Sequence, residues 1–298
     1  MSLSPRLALM ATGLALAACG DKDTTGAPDS GVPHDSGDGS ADVTADCAGA
    51  EGVWFTAADG TVEDWTATFA SGSAGAPVEV MVERDGVVDV CGGTWVVNLT
   101  VSAASLTVRG DATRSAPTLD GGGSGPIIDL TTVGSRLVVE DLTLTNARAC
   151  FGSGIRGADF SAECDREAGP LGADVTVRRS HLHGLTYDIG GGAIGTAGST
   201  VVVEDTLIAN NEGHGVFAVA TDVRCSAASG LDAGMRDNTK SGVWVADPTP
   251  EAGNSLVSEG CDWGGNGQED VRLGGETYFN DFGQDARFQC DALALTCG

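Results

Sequence analysis

Three groups of side chains in this sequence have the type and spacing to do chemistry. Asp141 and Asp205, with Arg179 between them, put two carboxylates and a guanidinium at matching offsets of what prove to be repeats. That arrangement reads either as a charged substrate groove or as a structural ladder. The ladder is the expectation, because neighbouring strands favour opposite charges. His214 sits in Gly213-His214-Gly215, a turn in which a solvated imidazole is ordinary. A proton-transfer role would need a partner that the sequence does not nominate. His181 and His183 form an HxH whose rings share one face of a strand. Their counterparts one repeat away are Thr143 and Leu207 for His181, and Thr145 and Ala209 for His183. None is a third ligand, so no metal site is expected. Trp95 and Trp244 are the candidate exposed rings; Trp244 lies one step from a core Val, faces outward and is the ligand-binding candidate. Serine-type catalysis lacks a GxSxG, and Gly190-Gly-Gly192 lacks the Lys-Ser/Thr and helix of a phosphate loop.

The elements that position these groups are repeats. Leu137-Val-Val-Glu-Asp141 and Val201-Val-Val-Glu-Asp205 match closely, with Val175-Thr-Val-Arg-Arg179 in phase between them. Taking one large apolar residue per unit as position zero gives Leu144, Leu182, Ile208, Met235 and Trp263, spaced 38, 26, 27 and 28 residues apart. Seven residues earlier come Leu137, Val175, Val201, Ala228 and Leu256; in the last three units Asn211, Asn238 and Asn266 follow position zero by three. Short alternating runs joined by Gly, Asn and Asp are strands. Units of this length cannot cover their own apolar faces, so they must stack as parallel coils about 4.8 Å apart. At one offset successive units carry Glu140, Arg178 and Glu204, and at the next Asp141, Arg179 and Asp205. Asn146, Asn211, Asn238 and Asn266 are expected in tight turns, bonding their equivalents one coil away.

Strand patterns continue upstream through Val80–Val82, Val88–Val90, Leu99–Val101, Leu106–Val108, Thr118–Asp120 and Ile127–Leu130. Thr61-Val-Glu-Asp64 is a capping-box pattern, and Val62, Trp65 and Phe69 share a helical face, so a short helix is expected to cover the open end. The β-helix domain is expected over residues 47–298, with an N-terminal cap to about residue 79 and a C-terminal cap over about 274–298. The unit of 38 residues has room for an excursion between Cys150 and Cys164, where a binding face would be elaborated.

Composition narrows the function. The 298 residues carry 16 Lys+Arg against 42 Asp+Glu, a net charge of −26, which excludes nucleic-acid binding through phosphate neutralisation. Nine cysteines are an odd number. Residues 1–18 hold one cation, Arg6, and an apolar run too short to cross a bilayer, which takes about 20 residues. The run ends Leu16-Ala17-Ala18-Cys19-Gly20, which resembles the bacterial lipobox. The resemblance implies cleavage before Cys19 and lipid attachment to it, so the partner there is a membrane, reached through the lipid. In the enterobacterial sorting scheme for such lipoproteins, Gly20 rather than Asp after Cys19 favours the outer membrane, so the outer membrane or cell surface is the expected location. Residues 19–46 are then an acidic, unfolded tether. Its Asp35–Asp42 stretch lacks the spacing of a calcium loop. Eight cysteines remain for bridges: Cys47, Cys91, Cys150, Cys164, Cys225, Cys261, Cys290 and Cys297. Proximity favours Cys150–Cys164 and Cys290–Cys297, with Cys47–Cys91 as a third pair.

With these residues set out, the chain resembles the right-handed parallel β-helix proteins of the pectate-lyase-like superfamily over about residues 80–275. Gly191-Gly-Ala-Ile194, with Leu207-Ile-Ala-Asn210 and Trp263-Gly-Gly-Asn266, is similar to the GGA[IL] and FxxN repeats of chlamydial polymorphic outer-membrane proteins. The resemblance implies an all-β solenoid that hosts lyases, hydrolases, adhesins and stalks alike. Its hydrolases pair a Gly-His-Gly with Asn-Thr-Asp and paired-Asp motifs, and this chain carries only the first. Its lyases hold calcium on acids and abstract a proton with Arg or Lys, which would engage Asp141, Asp205 and Arg179. The expected function is therefore a lipid-anchored, non-catalytic binding or structural module without a cofactor, facing a polysaccharide or an envelope protein. The alternative is a lyase or hydrolase on acidic polysaccharide, with calcium as its cofactor and His214, Asp141, Arg179 and Asp205 as its catalytic candidates.

Overall fold

A computed structural model of the chain describes residues 47, 51–113, 115–159, 169–187, 191–247, 255–275 and 277–298. The signal, lipobox and tether expected over 1–46, and Cys164, lie outside the described residues. The folded unit is a parallel β-helix whose coils contribute strands to three faces.

The first face stacks Gly86–Val90, Ser105–Gly110, Arg136–Glu140, Asp174–Arg178, Thr200–Glu204, Asp222–Ser226 and the start of Ser255–Gly264, all parallel. The second begins with Thr94–Val96 and runs through Thr118–Asp120, Thr143–Thr145, His181–His183, Leu207–Ala209, Gly234–Arg236 and Asp262–Gly264. The third runs from Val78–Val82 through Val97–Val101, Ile128–Leu130, Gly152–Asp159, Gly192–Ala197, His214–Val219 and Val243–Ala246 to Val271–Leu273. The core is the enclosed axis. Leu119, Leu144, Leu182, Ile208, Met235 and Trp263 pair in register down the second face, every one of them buried. The position-zero column is thus a physical column.

One column differs from the repeat alignment. On the first face Val201 pairs with Val223, and Val223 with Leu256. Ala228, which the spacing places there, lies beyond the strand end at Ser226. The corner from the first to the second face takes two residues in three earlier coils (141–142, 179–180, 205–206), but here runs from 227 to 233. Counting back from Met235 therefore slides five residues past the true partner.

The corners have a common construction. A residue with left-handed backbone turns the chain: Asp141, Arg179 and Asp205 at the first corner (φ 56°, 45° and 47°), Asn146, Asn210 and Asp237 at the second. Asn and Asp tolerate this conformation better than other side chains. After Arg179, Asp205, Asn210 and Asp237, and likewise after the left-handed Gly198, Ala220 and Gly265, the next residue's side-chain oxygen accepts a backbone N–H from the preceding coil. Ser180 and Thr206 accept from Leu142 and Ser180 at 3.3 and 3.1 Å. Ser199 and Thr221 accept from Ala173 and Ser199 at 3.1 and 3.3 Å. Asn211, Asn238 and Asn266 accept from Leu185, Asn211 and Asn238 at 3.1, 3.3 and 3.1 Å. Corner N–H groups have no ladder partner of their own, and these buried oxygens satisfy them. The asparagines thus divide into two roles. Asn146 turns the chain and bonds Asp120 (2.7 Å) instead of joining the ladder.

The ends also depart from expectation. Val62–Asp64, the capping-box stretch, is a strand antiparallel to Val53–Ala57, and the helix is one turn, Thr66–Phe69. The cover is aromatic: Phe55, Trp65 and Phe69 stack in sequence at 4.7 and 6.3 Å between centroids, and Phe69 meets Trp95 edge-on at 6.2 Å. Trp95, a candidate exposed ring, belongs to this plug and heads the position-zero column, only 8% exposed. At the other end Ala286–Asp291 pairs antiparallel with the last coil, closing it with Trp263, Phe282 and Phe288. Cys47–Cys91, Cys225–Cys261 and Cys290–Cys297 are disulfides, and Cys150 is also bridged.

Candidate functional site

The candidate catalytic groups do not converge. Arg179 turns toward one neighbour only: its Nε and Nη2 donate to the two carboxylate oxygens of Asp141 at 2.8 and 2.7 Å, with Glu140 at 3.3 Å. The Asp141 carboxylate raises the Arg179 pKa further above its usual value. Asp205 instead accepts the Ala228 N–H at 2.7 Å, bent toward the long corner loop. Arg178, one residue before, pairs with Glu204 at 2.9 Å. The clamp geometry, with Arg179 between Asp141 and Asp205, is absent among these contacts, and a charge ladder takes its place. The ladder runs from Asp89 through Arg109, Glu140 and Arg178 to Glu204 in register, until Ser226 interrupts it.

His214 is not in a solvated turn. It opens the strand His214–Val219 and is fully buried. Its Nδ1 accepts the Ser241 backbone N–H at 3.2 Å, and Ser241 in turn donates its hydroxyl to Glu269 at 2.6 Å. Burial, helped by the charges of Lys240 and Arg272, pushes its pKa down to about 3, so the imidazole is neutral at physiological pH. Its Nε2 has no hydrogen-bond partner. The ring packs beside Phe217 and Trp244, at 5.9 and 5.1 Å between centroids.

These contacts belong to a second apolar cluster, outside the coil on the third face. Register places Arg156, Gly195, Phe217, Trp244 and Arg272 in one outward column, with Tyr278 opposite Arg272 on the antiparallel strand Thr277–Phe279. Phe151 folds over Gly195 and meets Phe217 edge-on at 4.8 Å. A Cβ on Gly195 would come within 2.7 Å of the Phe151 ring, so only glycine lets that ring lie on the sheet. Trp244 is half-buried as this cluster's rim; its Nε1 donates to the Gly274 carbonyl at 2.7 Å. The Arg272 guanidinium lies 4.1 Å from the Trp244 ring centre and 5.3 Å from that of Tyr278. Lys240 lies 4.6 Å over Tyr187 on the same side.

Two cations on this face are held differently from most of the described arginines. Arg84, Arg109, Arg156, Arg178, Arg179, Arg224 and Arg236 each pair with a carboxylate. Arg272 and Lys240 rest on aromatic rings, and Arg272 donates to the Gly275 carbonyl at 2.5 Å. In a chain so acidic, cations held on rings leave their charge available to an anionic group. Trp244 was identifiable from its phase, and Arg272 shares that column. Tyr187 and Tyr278 lie on short strands outside the repeat, so periodicity passes over them.

Among the described residues, no three or more His, Cys, Asp or Glu side chains converge to hold a metal. An open acidic groove lines the first corner beside Glu204, Asp205, Glu259 and Arg287. Glu204 and Glu259 there are tied to Arg178 and Arg224. No protein-family model, curated protein or solved structure matches this chain.

Proposed function

We propose that this chain is an exported, lipid-anchored envelope protein whose β-helix is a non-catalytic binding module. Its binding face is the third-face cluster from Tyr187 to Tyr278, and its ligand an envelope or extracellular polysaccharide bearing acidic groups. The observation that carries this is the pairing of Lys240 and Arg272 with aromatic rings in a chain whose other arginines are spent largely on carboxylates. Aromatic edges and cations together suit a sugar ring with an anionic substituent. The catalytic candidates support the same reading by their engagements. Asp141 is held by Arg179, Asp205 by a backbone N–H, and His214 is sealed and neutral.

Export is supported by the lipobox-like run ending at Cys19 and by disulfides, which persist in oxidising compartments. Kinship with the pectate-lyase-like β-helices, and a right-handed coil, are the finer reading of the three-faced parallel architecture; strand twist favours that hand.

Affinity electrophoresis of the full chain through polygalacturonate and alginate, with and without calcium, tests the proposal. Retardation that Arg272→Ala and Lys240→Ala each weaken, with no release of unsaturated or reducing ends, is the expected result. Turnover that disappears in Asp141→Asn or His214→Gln would replace this reading with the enzymatic one. Replacing Cys19 by Ala should release a folded protein from the membrane fraction, and its retention there would refute the anchor.

A further inference from the structure

Two imidazoles on the outer side of the second face have no role in the binding face or the ladders. His181 and His183 flank the inward Leu182 on one three-residue strand, so both rings leave the same side of the sheet. Their centroids are 4.4 Å apart, with planes tilted by 37°. The strand is clamped by parallel neighbours, Thr143–Thr145 before it and Leu207–Ala209 after it, so the pair is held in place by backbone pairing. The Nε2 of His181 is buried and makes no hydrogen bond. A buried nitrogen without a partner is costly; of the two residues paired with His181, Leu207 offers no polar group and the Thr143 hydroxyl makes no bond to this nitrogen. Asp232 and Arg236, paired with each other at 2.5 Å, both lie close enough to act on His181 electrostatically, and they act with opposite sign.

We propose that His181 and His183 together form a two-imidazole chelate for a divalent transition metal of the nickel–copper end of the first row. Two imidazoles bound at right angles, each with a metal–nitrogen distance of about 2.0–2.1 Å, put their ring centres roughly 4–5 Å apart. The observed separation of 4.4 Å falls in that range without moving the backbone. The donor set decides the class of ion. Imidazole suits copper, nickel and zinc, whereas calcium and magnesium demand oxygen ligands. A closed zinc site needs four protein ligands, and the described cysteines are all locked in disulfides. With two nitrogens the affinity follows the general order of divalent ions, and copper(II) binds tightest. The remaining coordination positions stay open to water or to a donor from another molecule.

The test is titration of the full chain with copper(II), read by calorimetry and by electron paramagnetic resonance. One equivalent should bind with a spectrum showing two coordinated nitrogens. His181→Ala and His183→Ala should each weaken that equivalent by at least about tenfold, the scale on which metal sites respond to loss of supporting groups. His34→Ala should leave it unchanged. The His181→Gln and His183→Gln variants repeat the comparison with side chains closer in size, and thermal melting verifies that each variant is folded. A folded double variant that binds copper(II) with the stoichiometry and affinity of the parent chain overturns the proposal. A spectrum of the parent chain with fewer than two nitrogens does the same.

Discussion

Replacing Asn238 by Ala should cost far more stability than the same change at Asn146, although both asparagines close the same corner. Asn238 is 1% exposed and makes four side-chain bonds between coils. Its Oδ1 accepts from the Asn211 Nδ2 and N–H, at 3.0 and 3.3 Å, and its Nδ2 donates to the Ile208 carbonyl at 3.1 Å and the Asn266 Oδ1 at 3.3 Å. Truncation removes all four bonds: the Asn211 N–H loses its acceptor in the corner, while the Asn211 Nδ2 keeps the Leu182 carbonyl and the Asn266 Oδ1 keeps the Asn238 N–H. At a net of about 1 kcal/mol per bond, with further penalty where a group is sealed from water, the loss is about 3–5 kcal/mol. Asn146 is exposed, makes one side-chain bond and holds a φ of 54°. Losing that bond and forcing Ala into left-handed backbone costs about 1–2 kcal/mol. Equilibrium urea unfolding of the full chain, with disulfides intact, measures both. Stacked repeats couple mainly to their nearest neighbours. Amide exchange should therefore rise in the coils around residues 208–216 and 263–271, and not in those around 105–140. Equal losses at the two positions, or exchange that rises uniformly, would refute the ladder account of the corner.

Two further perturbations follow from buried groups. His214 has a folded pKa of about 3, below the ordinary value of 6.5. The unfolded chain therefore binds the extra proton between these values, so stability is complete above about pH 6.5 and falls as the pH drops toward 3. At pH 5 the loss is about 2 kcal/mol; His214→Phe should remove that part of the pH dependence, and an unchanged profile in urea unfolding would contradict the burial. Cys225–Cys261 spans 36 residues and lies inside the coil. Replacing both by Ser should lower stability by about 3–4 kcal/mol on the chain-entropy account, measured as a drop in the urea midpoint against the parent. A drop smaller than about 1 kcal/mol would mean that the last two coils are held by sheet pairing alone.

Much of the fold was legible because a stacked coil writes its geometry along the chain. Leu144, Leu182, Ile208, Met235 and Trp263 pair in the structure at the spacing their sequence positions imply. Ala228 was misplaced because register is a matter of hydrogen-bonded partners, and a corner can absorb five residues without disturbing either strand. The capping box failed for a related reason. Thr61–Asp64 has local helical chemistry, but the exposed edge of Val53–Ala57 offered a strand partner, and pairing with it outweighed one helical turn.

The candidate site divides along the same line. By itself the sequence determined the coil period, the alternating charges at the first corner, the asparagine column at the second, and the outward phase of Trp244, because each depends on offsets between neighbours in the chain. Tertiary structure decided which way each group spends its bonding capacity. Arg179 went to Asp141 and not to Asp205, and His214 was sealed beneath Phe217 and Trp244. Arg272 was left on two rings instead of a carboxylate. Those outcomes depend on burial and on partners tens of residues away, which no local pattern encodes.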